Sequence, residues 1–360
     1  MAELLTLDRA QLERFAQQTL GPDAVLVDWQ LAPIRYADVG AGSRALYRVG
    51  ATVRTGAKVR PWSLILKISR LGGPNSDTPS EGSYWRREAL LYRSGLLGQL
   101  SGGLTAPACY AVEERPDGAL WLWLEDVAEP PDAPAWTVER YGLAARHVGV
   151  LGAFAGAALP DLPWLNRGWS RALTQLEYAA LVAPMRERPA EFVPILRLWE
   201  ERETLLERLE RAPQCLCHHD LWRQNMFDRR PDAQTVLIDW EQSGTGALGE
   251  DAGNLLAVCL LNLDIPAAQA PALRDAISEG YQAGLRAAGW RGDGGAVQNA
   301  LLTAAALRGV FLMAGWALAI ARDASGRFAA QTEQQWGRPV AEVLAQWQAA
   351  GAFLLAGVKR

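Results

Sequence analysis

Cysteine and histidine are scarce in this sequence, with four and three among 360 residues. So few cysteines in so long a chain do not make a disulfide framework, and a reducing cytoplasm is the expected setting. An excess of positive charge is also missing. The net charge of -4 leaves no basic stripe for a nucleic acid, so no such partner is expected. Near the start, Glu3 and Asp8 stand where a basic segment and a long apolar run would mark a secretory signal, and none is expected. Nor is there a long apolar span free of charge. Leu301–Ile320, LLTAAALRGVFLMAGWALAI, has the length to cross a bilayer, yet Arg308 falls near its middle, where a charge costs at least about 2.5 kcal/mol. That stretch and the alanine-rich Gly142–Leu159, with Arg146 and His147, read instead as buried helices of a helical lobe. No membrane partner is expected.

What is present is a globular composition, 49% hydrophobic and 21% charged. A chain of 360 residues exceeds the size at which one core stops growing, so two lobes are expected. The 15 tryptophans are spread through the chain, Trp29, Trp62 and Trp85 among them. They read as core and interface residues, with one or two available for an aromatic substrate cage.

In chain order, Thr6–Leu20 is helical in period, with Leu12, Phe15 and Leu20 on one side, and Gly21–Pro22 ends it. Strands follow: AVLVDWQLAPI, ALYRVGATV and PWSLILKIS. Between the first two, Val39–Leu46 carries Gly40, Gly42 and Ser43, and such a turn can aim backbone N–H groups at phosphate oxygens. An ordinary hairpin turn is the plainer reading, because the third position of a glycine-rich phosphate loop is Ala45. Lys67 is a cation inside the apolar strand SLILKIS, and a buried ammonium needs a partner. The following segment, SYWRREALLYRSGLL, reads as a helix on which Glu88 shares a face with Tyr84 and Leu91. A Lys67–Glu88 pair would hold the ammonium toward α/β-phosphates; a snorkelling lysine and a solvated glutamate are the alternative. APACYAV and ALWLWLEDV form a strand pair around the turn EERPDG, and the proline-rich EPPDAPAW comes next. The lobe boundary is placed at Glu125–Val127, whose backbone can offer N–H and C=O groups to an adenine edge. The division is residues 1–124, a connection at 125–135, and a larger helical lobe at 136–360, an α+β architecture.

The densest chemistry lies in Cys215–Trp240, CLCHHDLWRQNMFDRRPDAQTVLIDW. Met226–Phe227 and Thr235–Asp239 are β-prone runs around DRRPDAQ, a hairpin. Folding it back brings Asn225 beside Asp239, with Asp220 on the incoming loop. Hard oxygen ligands of this kind suit Mg²⁺. Zinc at C-x-C-H-H is the rival, with Cys215, Cys217 and His219 on one side of a strand. Cys109 and Cys259 supply no second ligand pair, and the oxygen site is preferred.

These residues resemble the aminoglycoside phosphotransferase and choline kinase group of small-molecule kinases. The motif H-x-D-x-x-x-x-N reads His218, Asp220 and Asn225, and I-D-W reads Ile238, Asp239 and Trp240, with Asp251 twelve residues on. ARHVGVLGAFAGA resembles the group's first large-lobe helix. The resemblance spans about Val39 to Leu261 and implies a protein-kinase-like bilobal fold, with a small β-rich N-lobe and a larger, mainly helical C-lobe. It implies ATP-dependent, Mg²⁺-requiring transfer to a hydroxyl of an aminoglycoside, amino-alcohol or sugar-like acceptor, with GTP as the alternative nucleotide. Asp220 would orient the acceptor hydroxyl, and Asn225 and Asp239 would hold Mg²⁺. Lys67, positioned by Glu88, would meet the α/β-phosphates, and the Gly40, Gly42 and Ser43 backbone would cover them. Glu125 and Val127 would flank the base, His218 would brace the catalytic loop, and Asp251 would support it from a helix start, where an N-cap is the plainer reading. Two departures stand out. The glycine loop is incomplete, and His219 occupies a position where the group usually has glycine; it is either a bulkier loop residue or one that narrows the acceptor site. Glu241, Glu250 and Asp264 would suit a cationic acceptor, with surface or helix-start acids the plainer reading. A nucleotide-binding module that has lost transfer is the non-enzyme alternative; retention of every charged kinase position argues against it.

Overall fold

The computed structural model describes residues 6–34, 44–72, 76–129, 133–229 and 233–358. Helix α1 (Arg9–Leu20) is capped by the Asp8 carboxylate, which accepts from the Ala10 N–H, and it ends at Gly21 with φ 106°. It lies on an antiparallel five-stranded sheet in which β1 (Ala24–Pro33), β2 (Arg44–Thr55), β3 (Lys58–Ser69), β5 (Cys109–Glu114) and β6 (Leu120–Glu125) run in the order β1-β2-β3-β6-β5, β4 being Leu104–Thr105. The two-residue period of β6 sorts its side chains. Trp121 and Trp123 join Leu12 and Phe15 of α1 in one core, while Leu120, Leu122 and Leu124 join the large core beneath. In β3, Leu64, Leu66 and Ile68 share the α1 core. Lys67 must therefore point to the opposite face.

Helix α2 (Arg87–Ser94) begins later than its sequence pattern suggests, so Tyr84 precedes it. The cause is Arg87, fully buried, whose guanidinium collects the carbonyls of Pro79, Glu81 and Gly82 and holds that loop in turns. Gly95, at φ 75°, closes the helix in a left-handed conformation.

The larger part is helical: α3 (Val138–Val148), α4 (Trp169–Leu173), α5 (Ala179–Arg186), α6 (Pro189–Arg211), α7 (Glu250–Leu261), α8 (Ala270–Ala287), α9 (Gly294–Arg322), α10 (Arg327–Trp336) and α11 (Val340–Gly357). All of α7 is buried, its polar residues Glu250, Asp251 and Asn254 included. Helix α9 has the length and apolarity to cross a membrane, and 56% of its most apolar window is buried within the fold. Gly142–Leu159 is not one helix. Regular α-structure stops at Val148 and continues as 3₁₀ turns; Gly149, at the junction, packs so closely on α8 that a side chain would strike the Tyr281 carbonyl.

The hairpin of β9 (Met226–Arg229) and β10 (Gln234–Leu237) pairs Met226 with Leu237, and β10 adds β4 in parallel. It is not the only β-structure of the larger part. β7 (Asn166–Arg167), β8 (Gln214–Cys217) and β11 (Gly244–Ala247) form a further small sheet. β8 contains the strand expected at Cys215–Cys217, whereas β7 and β11, of two and four residues, are too short to show an alternating pattern in the sequence.

Candidate active site

Strand β8 delivers the chain into the loop His218–Trp222. His218 is fully buried, and its Nε2 lies 3.0 Å from the Ile238 carbonyl while the Asp220 N–H reaches its Nδ1 at 3.3 Å. Those partners require a neutral ring with its proton on Nε2, and burial, the largest influence, lowers the pKa in the same direction. Asp251 is not a helix cap. Gly249 holds that position, and Asp251, one residue inside α7, accepts the N–H groups of His218 and His219 at 2.8 Å each. Burial pushes its carboxyl up to about 7, against the two N–H groups that favour the ionised form.

The Asp220 carboxylate is held from two sides. Its Oδ2 accepts from Asn225 Nδ2 at 3.0 Å, and its Oδ1 lies 3.2 Å from Arg308 Nη2. Asn225 Nδ2 also donates to the Asp220 carbonyl, at 2.9 Å, so the amide oxygen is the end left for a cation. The fold-back of the hairpin is closed by the Ile238 N–H, which donates to the Asn225 carbonyl at 2.9 Å.

Lys67 crosses to this hairpin. Its Nζ lies 2.6 Å from Glu88 Oε2, 2.5 Å from Asp239 Oδ1 and 3.3 Å from Glu241 Oε2. The other oxygen of Glu88 accepts the Trp240 N–H at 3.3 Å. Burial raises the Glu88 pKa, opposed by the Lys67 ammonium. Asp239 takes a left-handed φ of 62°, tolerable for aspartate, and its side chain is 34% exposed. Oxygens of Glu88, Asp239 and Glu241 approach within 4.8 Å of one another. One ammonium among three carboxylates leaves excess negative charge, and together with the Asn225 amide oxygen this donor set fits a hard divalent cation.

Other expected residues fall differently. The Glu125 N–H is committed to the Ala108 carbonyl at 2.8 Å, and its carboxylate engages the Ala108 N–H and Arg229. A purine could not use that N–H. Val127 is half-buried in the connection after β6, and nearby Glu129 pairs with Arg223 and accepts the Asp228 N–H. Gly40, Gly42 and Ser43 lie outside the described residues. His219 is fully buried, stacked on Trp169 at 5.1 Å, so it does not reach into an acceptor space. Its φ of 68° explains why glycine suits the position. Glu250 is buried under Ser170, whose hydroxyl donates to it at 2.5 Å, and Asp264 is exposed beyond α7; only Glu241 of these three acids meets the site. Cys217, His219 and Asp251 do cluster, but both Asp251 oxygens are already engaged by N–H groups.

Sequence reasoning missed Arg87, Trp169 and Arg308. Arg87 joins α2 to the Trp164 carbonyl at 2.8 Å and to the Glu241 carbonyl at 2.9 Å. The rule applied to Lys67, that a charge in an apolar element needs a partner, would have flagged Arg308 within Leu301–Ile320.

Residues 40–292 match a family model, APH, described as the phosphotransferase enzyme family. No curated protein matches the chain. Among solved structures it is similar to amicoumacin kinase hAmiN in complex with AMP-PNP, Ca²⁺ and Ami, at 17% identity over 93% of this chain and 95% of that one, with a TM-score of 0.55. It is also similar to an aminoglycoside phosphotransferase from Alicyclobacillus acidocaldarius subsp. acidocaldarius DSM 446, at 16% identity over 98% and 96% of the two chains, with a TM-score of 0.50. At these identities the likeness is one of fold, a small antiparallel sheet lobe on a larger helical part.

Proposed function

Because the chain belongs to the APH phosphotransferase enzyme family, we propose that it transfers the γ-phosphoryl group of ATP, or of GTP as the alternative, to a hydroxyl of a small molecule. The observation that carries this reading is the position of Lys67, bonded at once to Glu88 of α2 and to Asp239 at the end of the hairpin. A nucleotide lobe at residues 1–124, a connection at 125–135 and a catalytic lobe at 136–360 suit that bridge. In this reading the Glu125 carbonyl and the Val127 N–H would flank the base, and Gly40, Gly42 and Ser43 would cover the phosphates. Lys67 would neutralise α/β-phosphate charge, kept in place by Glu88.

Asn225 and Asp239 would hold Mg²⁺, which would supply positive charge to offset the charge that develops on the phosphates. Asp220 would accept a hydrogen bond from the acceptor hydroxyl and aim its oxygen at the γ-phosphorus. A bond forms from that oxygen to phosphorus, the bond from phosphorus to the bridging oxygen breaks, and the hydroxyl proton passes to Asp220. The transition state is loose, so positioning and electrostatics supply most of the acceleration. Glu241 beside this space would favour an aminoglycoside, amino-alcohol or sugar-like acceptor bearing a cation. A reducing cytoplasm suits Cys215 and Cys217, buried free thiols whose sulfurs lie 3.7 Å apart and share a hydrogen bond.

The test is nucleotide binding with and without Mg²⁺, followed by γ-phosphate transfer across a panel of aminoglycosides, amino-alcohols and sugars. Transfer by the wild type that disappears in Asp220→Ala and Asp239→Ala supports the assignment; full turnover in both variants rejects it. Binding without transfer to any acceptor would favour a non-catalytic nucleotide-binding module.

A further inference from the structure

We infer that Arg308 is the positioning residue for Asp220, and that Trp169 and His219 form the stack that keeps it there; the inference rests on the phosphotransfer reading above. Asp220 stands on a loop, and its side chain is 30% exposed. A carboxylate held at one oxygen swings about that contact. Two donors on different oxygens, Asn225 Nδ2 at 3.0 Å and Arg308 Nη2 at 3.2 Å, fix its plane and leave the remaining lone pairs for an acceptor hydroxyl.

Arg308 comes from the middle of α9, 88 residues further along the chain. It rises from a run of buried apolar neighbours, Ala305, Ala306, Leu307, Val310 and Phe311. A guanidinium only 14% exposed in such surroundings is costly unless its charge is met. Asp220 meets it. The guanidinium carbon lies 4.7 Å from the centroid of the Trp169 ring, an arrangement that favours arginine over lysine. Trp169, at the start of α4, is stacked on the His219 imidazole with the rings within 10° of parallel. His219 immediately precedes Asp220, so the stack begins and ends on the same loop. Burial lowers the His219 pKa to about 3, so the imidazole at the base of the stack is neutral and does not repel the guanidinium.

The arrangement also explains how a cation can sit against the residue that takes the acceptor's proton. A loose transition state asks the carboxylate for orientation first and for the proton late, and orientation is what the Arg308 contact supplies. Acting through Asp220, Arg308 should govern turnover and leave nucleotide affinity alone.

The experiment compares wild type, Arg308→Met, Arg308→Lys and Trp169→Leu, each checked for folding by circular dichroism. Crystal structures of Arg308→Met and Trp169→Leu should show the Asp220 carboxylate turned away from Asn225. With MgATP as the probe and water as the acceptor, Arg308→Met should lower kcat between about tenfold and about 100-fold, with KM for MgATP within about twofold. Arg308→Lys, which restores charge without the planar stack, should recover part of the loss. An Asp220 carboxylate still bonded to Asn225 in Arg308→Met, or a loss expressed equally in KM, overturns the inference. If the wild type binds no MgATP, the phosphotransfer reading fails, while the variant crystal structures still decide whether Arg308 orients Asp220.

Discussion

Arg87, at the start of α2, donates through Nη1 to the main-chain carbonyl of Glu241, 2.9 Å away and 154 residues further along the chain. The same guanidinium reaches the Trp164 carbonyl at 2.8 Å. The helix that carries Glu88 is thereby bolted to the hairpin exit and to the larger lobe by a residue adjacent to Glu88. Lys67 thus finds its partner already placed.

Arg87→Met should break that bolt. It leaves several buried carbonyls without donors, at roughly 1–3 kcal/mol for each that water cannot reach. Chemical denaturation should show a loss of at least about 3 kcal/mol, and KM for MgATP should rise because α2 no longer fixes Glu88. A variant of wild-type stability would contradict this account of the guanidinium.

Lys67→Met removes the ammonium bonded to Glu88, Asp239 and Glu241. Transfer should fall by about 100-fold or more. Glu88→Gln keeps the ammonium but loosens its position, and a smaller loss, near tenfold, is expected from steady-state kinetics. Equal losses in the two variants would mean that Glu88, rather than the ammonium, dominates.

Removal of the divalent ion gives a separate check on Asp239. Chelation should weaken ATP binding to the wild type, measured by isothermal titration. It should leave binding to Asp239→Ala little changed, because that variant would already lack the carboxylate proposed to hold the ion. His219→Phe should retain the metal dependence, since His219 packs on Trp169 rather than on the hairpin mouth.

His219 also predicts a pH effect on stability. Burial depresses its folded pKa to about 3 from 6.5. Between those values the unfolded chain binds a proton that the folded chain refuses, so stability falls as pH drops from 6.5 toward 3. At pH 4.5 the penalty approaches about 2.7 kcal/mol, two units at about 1.36 each. His219→Phe keeps the aromatic stack and cannot titrate, so its stability relative to wild type should improve by about that amount between pH 8 and pH 4.5. The other histidines titrate in both proteins, and the difference therefore reports position 219. A constant difference across that range would mean that His219 is not held neutral by burial.

Some of this site was legible because its causes are local. Alternation in LILKI puts Lys67 on the face opposite Leu66 and Ile68, whatever lies beneath. Turn residues between two short β-prone runs imply a hairpin, and that folding alone sets Ile238 against Asn225. The late start of α2 was not legible, because it depends on carbonyls wrapped around Arg87. The close approach of α8 to Gly149 was not legible either, because it depends on a segment far along the chain. At Glu125 the side chain and N–H were claimed by Ala108 and Arg229, contacts that no pattern within the strand encodes.

The sequence by itself determined the strand lysine, the helix glutamate, the loop that carries Asp220 and the hairpin between Asn225 and Asp239. Each follows from periodicity or turn chemistry within about two dozen residues. Only the tertiary structure decided which charges meet. Arg308 could be recognised in the sequence as a cation inside an apolar helix, but its partner could not. A buried charge announces that it needs a counter-charge, and the packing of distant helices selects the one it finds.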